Sequence, residues 1–226
     1  MKYKGLLLDI DNTLYDYNIS HISAKKNVIN YCMSKFSLSE EQIIFAYDKA
    51  RDKVQINLVE TAASHNRLLY FQKMCEILDL NSLKYGLNIY NAYWDSFLDN
   101  MKLFDGVENL LRQYKNKICL VTDLTAHIQF RKIQKLGLSS FCNLMVTSEE
   151  VGKEKPHPYI FLSALHKLNL HAHDVCMIGD NFKKDIYGAS NVGIDAIWFN
   201  HEKKIDVYEG KKIIEVNQFK RIRDFL

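Results

Sequence analysis

The sequence predicts an α/β protein, a doubly wound parallel sheet with an all-helical insertion after its first strand. Three observations carry that prediction. Five short runs, Tyr3–Leu8, Lys117–Thr122, Asn143–Thr147, Val175–Gly179 and Asp195–Phe199, are apolar almost throughout, as strands covered on both faces must be. Segments of helical length separate the last four, so the strands are joined by crossovers and run parallel. Finally, no Gly occurs between Gly5 and Gly86 and no Pro before Pro156, whereas Gly recurs often after Gly86. A long stretch without breakers favours helices, and the later spacing favours short alternating elements.

Each element has its own local signal. Ser39-Glu40-Glu41-Gln42 is a capping box that opens a helix. Leu68, Phe71, Cys75 and Leu78 follow helical spacing, as do Tyr90, Tyr93, Trp94 and Phe97; the aromatic stripe reads as the insertion's own core. In Asp105–Tyr114, Asp105 is the expected cap, with Glu108 three residues on. Leu124–Leu136 is a helix stopped by Gly137. Pro158–Leu168 starts with a first-turn proline, and Lys183–Val192 is stopped by Gly193. The expected division is residues 1–14 and 101–226 for the sheet domain, and 15–100 for the helical domain.

Composition narrows the function classes. The 226 residues are 47% hydrophobic and 25% charged, which suits a soluble protein with a core that needs no staples. Net charge is only +3 and the basic residues are scattered, so neither nucleic acid nor a membrane surface is an expected partner. The densest basic group, Lys203-Lys204, Lys211-Lys212 and Lys220-Arg221-Arg223, reads as a solvated surface. Five cysteines with no CxxC pair imply a reducing compartment. Leu6-Leu7-Leu8 ends at Asp9, too short for a signal peptide or a membrane span. A cytoplasmic enzyme is expected. His166, His171 and His173 lack an acid or Cys at metal-ligand spacing and read as a solvated loop.

Ligands of an open parallel sheet bind beyond the carboxyl ends of its strands, so the residues that follow each strand matter most. Asp9-Ile10-Asp11-Asn12-Thr13 follows the first. Two carboxylates that close after a buried strand are costly without a cation or proton between them. Thr122-Asp123 follows the second, a hydroxyl just before a helix start that suits an anion. Lys155 stands in Lys153-Glu154-Lys155-Pro156-His157-Pro158, on backbone stiffened by two prolines. Gly179-Asp180 follows the fourth, with Asp185 shortly after. Each motif alone fits an ordinary turn or cap. Together they place four acids, a hydroxyl and an ammonium in one crevice, and oxygen-only ligands at that density point to Mg2+.

In these four motifs, Asp9-Ile10-Asp11-Asn12-Thr13-Leu14, Leu120-Val121-Thr122-Asp123, Lys155-Pro156 and Gly179-Asp180 with Asp185, the chain resembles the haloacid dehalogenase-like hydrolases. The resemblance spans residues 1–14 and about 101–226, and the helical insertion looks like that family's type 1 cap. It implies a Rossmann-like core and a magnesium-dependent phosphatase acting on a small soluble phosphomonoester, a sugar phosphate or nucleotide. Asp9 would be the nucleophile that forms an aspartyl-phosphate. Asp11 would act as acid and then base. Thr122, Asp123 and Lys155 would bind the phosphoryl group. Asp9, the Asp11 carbonyl and Asp180 would hold the metal, with Asp185 in support. Asp123 departs from the commonest pattern, an Asn or small residue there; if its backbone N–H contacts phosphate, its charged side chain must point away. Asp11 favours phosphoryl transfer over dehalogenation, because a halide leaves without a proton. The alternatives are a phosphomutase, a phosphonatase using Lys25, Lys26, Lys49 or Lys53, and a catalytically silent phosphate-binding protein. A monomer or homodimer is expected.

Overall fold

The computed structural model describes residues 2–204 and 213–226. The Lys211-Lys212 part of the basic group lies outside them. Strand β1 (Gly5–Leu8) is followed by four helices, α1 (Tyr17–Phe36), α2 (Glu40–Asn57), α3 (Arg67–Ile77) and α4 (Ser82–Asp99). Alternating elements come next: α5 (Val107–Gln113), β2 (Ile118–Thr122), α6 (Ala126–Lys135), β3 (Leu144–Thr147), α7 (Ser148–Val151), α8 (Pro158–Leu168) and β4 (Val175–Gly179). A π-helical turn (Phe182–Tyr187), α9 (Gly188–Asn191), β5 (Asp195–Phe199) and β6 (Ile214–Val216) complete the described order, before a 3₁₀ turn at Phe219–Phe225. The chain divides into two compact units, Met1–Asp16 with Lys102–Leu226, and Tyr17–Met101.

The first unit is the expected α/β sheet. Its six strands lie in the order β3-β2-β1-β4-β5-β6 and pair in parallel throughout. Strand order reverses between β1 and β4, which is the topological switch point of this architecture. Leu6, Leu7 and Leu8 have no exposed surface, and burying such side chains stabilises the fold by about 1.5–3 kcal/mol each. On one face Leu7, Cys119, Val121 and Met177 of the strands pack against Ile160, Phe161 and Ala164 of α8. The segments that leave and re-enter this unit bridge at Tyr15 and Leu103.

The second unit is all-helical. Ser39 caps α2, with the reciprocal Gln42 bond present. Tyr90, Tyr93, Trp94 and Phe97 are all buried along α4, as the aromatic stripe predicts. The five cysteines are free and buried. Among the described residues no helix is long and apolar enough to cross a membrane.

Four sequence-based expectations need correction. Asp105 does not cap α5: the cap is Gly106 in the left-handed region, with no side-chain bond. The chain must turn back there against the C-terminal 3₁₀ turn, a conformation Asp105 cannot supply from one residue earlier. In α3 the buried residues are Tyr70, Phe71, Met74 and Cys75, while Leu68 is exposed. The inward face is therefore rotated from the predicted stripe, because the aromatic and sulfur side chains win the interior. The helix expected over Lys183–Val192 is a π-helical turn followed by a single α-turn; the wider winding carries Asp185 inward, where it is 1% exposed. β6 was not foreseen, since Ile214-Glu215-Val216 is too short to carry periodicity.

Gly106 has φ +90°, and a Cβ there would lie 2.8 Å from the Lys220 Cα. Gly106→Ala should therefore destabilise the fold by about 2–4 kcal/mol, combining left-handed strain with a clash against backbone. Urea unfolding monitored by circular dichroism measures this, and a change within experimental error would refute it.

Candidate active site

β1 and β4 are neighbours, so the residues just after them meet at the switch point. Asp9 follows β1 and Asp180 follows β4, and both belong to a three-carboxylate group with Asp185. One oxygen from each lies within 4.8 Å of the others. Between them stands Lys155. Its Nζ donates to Asp9 Oδ1 at 2.6 Å, to Asp185 Oδ1 at 2.7 Å and to the Val121 carbonyl at 3.0 Å. The lysine is 4% exposed. An ammonium so buried costs several kcal/mol unless paired, and here all three of its donors are used.

Thr13 Oγ1 donates to Asp9 Oδ2 at 3.0 Å and accepts the Asp180 N–H at 3.0 Å. One hydroxyl thus ties the two strand ends together. Asp185 Oδ2 accepts the Asn181 N–H at 2.9 Å. The Asp185 side chain lies against Gly179, where a Cβ would overlap it. The Gly-Asp motif therefore needs its glycine for clearance.

Burial pushes Asp9 up to about 7; the nearby Asp185 and Asp11 carboxylates add to this, and Lys155 opposes it. Asp180 is likewise raised to about 7 by burial and then by the Asp9 charge. Lys155 is held well above the ordinary lysine value, because Asp185, Asp9 and Asp123 outweigh its own desolvation. Three acids gather round the Lys155 ammonium, with Lys204 Nζ 3.6 Å from Asp180 on the outer side. Carboxylate oxygens are hard donors, which fit a divalent cation such as magnesium. Asp9 and Asp180 would be its ligands, with Asp185 tied to Lys155 and supporting them.

Asp11 is placed differently. Its side chain is not one of the three clustered carboxylates. Lys132 Nζ donates to both its oxygens, at 2.6 and 2.7 Å. The Tyr15 hydroxyl donates to Oδ1, and Gln129 Nε2 to Oδ2 at 3.2 Å. Burial pushes this carboxyl up, but Lys132 and the three hydrogen bonds win and hold it below the usual range.

Thr122 is 1% exposed, and its Oγ1 accepts Gln129 Nε2 at 2.7 Å. The Asp123 carboxylate is taken up by two donors. Oδ1 accepts the Lys155 N–H at 3.0 Å and Oδ2 takes Lys184 Nζ at 2.8 Å. Its side chain thus braces the lysine segment. His157 caps α8 by accepting the Tyr159 N–H at 3.2 Å, a structural part.

Sequence reasoning missed Gln129 and Lys132. Both are fully buried on α6 beside Ile128 and Ile133. The signal was available: a lysine and a glutamine one turn apart on the apolar face of a helix that follows a strand-end motif.

The family model for haloacid dehalogenase-like hydrolases matches residues 6–199. The chain is 33% identical over 211 residues to ribulose-1,5-bisphosphate 5-phosphatase of Halopiger xanaduensis, covering 91% of this chain and 88% of that protein. It is 28% identical to glyceraldehyde 3-phosphate phosphatase of Pyrococcus furiosus, covering 89% and 82%. Among solved structures, HAD-hydrolase YfnB of Bacillus subtilis bound to magnesium superposes with a TM-score of 0.73 at 20% identity, covering 100% of this chain and 99% of that one. The chain therefore belongs to the haloacid dehalogenase-like hydrolases, as an enzyme acting on phosphate esters.

Proposed function

We propose that this phosphatase is magnesium-dependent, and that it hydrolyses a small soluble phosphomonoester, a sugar phosphate or nucleotide, through an aspartyl-phosphate on Asp9. The observation that carries this is the buried Lys155 ammonium shared between Asp9 and Asp185, with Asp180 beside them. The names of the two curated relatives, both phosphatases of sugar phosphates, support the substrate class. Five buried free cysteines suit action in the cytoplasm.

In the first step an Asp9 oxygen bonds to phosphorus and the ester P–O bond breaks. The leaving oxygen takes a proton from the Asp11 carboxyl. In the second, water attacks the same phosphorus, gives its proton to Asp11 and releases phosphate, restoring the Asp9 carboxylate. Lys155 offsets the repulsion between a carboxylate and a phosphate dianion. The Thr122 hydroxyl and the Asp123 N–H orient the phosphoryl oxygens. A bound magnesium ion would add positive charge against the phosphoryl oxygens. Lys132 holds Asp11 ionised, the form that accepts a proton from water; to serve as the acid, Asp11 must loosen that pair.

Asp9→Asn should lower turnover of p-nitrophenyl phosphate by about 10³-fold or more and leave the circular dichroism spectrum intact. Turnover near the parent level would reject Asp9 as nucleophile. Metal binding should depend on pH in a fixed direction. With Asp9 and Asp180 raised to about 7 in the metal-free protein, protons compete with the cation below that value. Magnesium affinity should climb across about pH 6–8 with release of protons. Calorimetry in buffers of different ionisation enthalpy reads both, and a pH-independent isotherm contradicts it. Lys132→Met removes the cation that holds Asp11 low, so the Asp11 pKa should rise in a carbon-13 carboxyl titration of the metal-free protein. An unmoved value would show that Tyr15 and Gln129 suffice.

A further inference from the structure

Strand β5 carries none of the four strand-end motifs, but it and the residues after it hold two of them. Trp198 Nε1 donates to the Asp180 backbone carbonyl at 2.8 Å. His201 Nε2 lies 3.1 Å from the Asn12 backbone carbonyl. A carbonyl only accepts, so Nε2 carries the hydrogen. One contact holds the backbone of the Gly-Asp motif, and the other that of the Asp-x-Asp motif. All of these residues lie within the sheet unit.

Packing aims both donors. Trp198 is buried with Phe182 and Ile186, its ring 5.1 Å from that of Phe182. The His201 ring stacks on Phe199 with centroids 4.9 Å apart, and meets the Phe104 ring at 5.1 Å. Rings gripped in this way have little rotamer freedom, so each N–H keeps its direction. The residues after His201 extend the grip. Glu202 Oε1 accepts Asn12 Nδ2 at 3.2 Å. Lys204 Nζ reaches Glu202 Oε2 at 2.6 Å and Asp180 Oδ2 at 3.6 Å.

Asn12 is a point that needs such support. Its φ is +63°, a left-handed conformation that costs about 1 kcal/mol and persists where the surroundings impose it. Its carbonyl belongs to the peptide that leads into Thr13. The Thr13 hydroxyl donates to Asp9 Oδ2 and accepts the Asp180 N–H, so turning that peptide would draw the hydroxyl out of line with both. We propose that His201 and Trp198 are positioning residues. They fix the backbones that carry Thr13 and Asp180, and so the spacing of the Asp9 and Asp180 carboxylates for a divalent cation, a role that rests on reading those two acids as metal ligands.

Substitutions in the full-length chain separate the N–H from the ring. His201→Phe keeps an aromatic ring against Phe199 and loses the donor, as Trp198→Phe does against Phe182. His201→Gln keeps an Nε2 donor and loses the ring. In the metal-free protein, His201→Phe and Trp198→Phe should each speed hydrogen exchange of the Asp180 amide by about three- to tenfold. Calorimetry should show magnesium affinity lowered by about tenfold or more in both. His201→Gln should stay nearer the parent than His201→Phe in both measurements, which loss of ring packing alone would not produce. Parent-like exchange or affinity in either donor-free variant overturns the assignment of that residue, and His201→Gln falling below His201→Phe overturns that of His201. A parent protein that binds no magnesium rejects the metal-ligand reading instead, and the exchange measurement then decides whether the two residues hold their loops.

Discussion

Lys155 is the ion on which the sheet-edge cluster depends. Its ammonium is nearly sealed from solvent and makes three bonds, two of them to carboxylates that come from different strand ends. Without it, Asp9 and Asp185 would face each other in a low-dielectric crevice, with Asp180 adding to the repulsion. With it, Asp9 is oriented along one oxygen, and Thr13 takes the other. The lysine in turn is steadied from behind. Its own N–H is bonded by Asp123, which Lys184 holds from the far side, and Lys184 reaches Glu154 as well. Charges alternate in sign outward from the centre, so no buried ion in this chain of contacts lacks a partner.

The sheet explains why these groups meet at all. Strand order 3-2-1-4-5-6 puts β1 and β4 side by side, although 166 residues separate the end of β1 from the start of β4. The strands themselves are apolar because helices cover both faces, and polarity is confined to their carboxyl ends. The division of labour along each strand, Leu6 to Leu8 inside and Asp9 at the tip, follows from that geometry. Apolar burial fixes the sheet; a cation between the acids makes their convergence tolerable.

Most of the architecture was legible because its signals are local. Runs such as Val175–Gly179 have a single physical reading, buried on two faces, and the strand bounds differ from the expected ones by two residues at most. The polar strand ends were legible for the same reason: an acid that closes an apolar run is anomalous wherever it falls. What escaped depends on tertiary contact. The π-helical turn that carries Asp185 inward is settled by its bond to Lys155, thirty residues away in sequence. Gly106 replaces Asp105 as cap because the C-terminal turn lies against it. Gln129 and Lys132 are anomalous on the apolar face of α6, but what they hold is settled only by the turn of that face to Asp11.

Those two residues also bear on which reaction the scaffold performs. Attack on carbon with loss of a halide needs no proton, so a chain committed to it has no use for a carboxylate two residues beyond the nucleophile. Here three separate places in the chain attend to that carboxylate. Tyr15 reaches it from the end of the β1 segment, and Gln129 and Lys132 from two positions on α6. Lys132 is fully buried to do so, at a desolvation cost that only a close ion pair offsets. The same Gln129 amide also bonds Thr122, so the proposed proton-transfer group and the proposed phosphate-binding hydroxyl are held by one side chain. A position maintained at such cost, and coupled to the proposed anion-binding residue, fits the proposed part of its proton in the reaction. That argues for transfer to and from oxygen, as phosphoester hydrolysis requires.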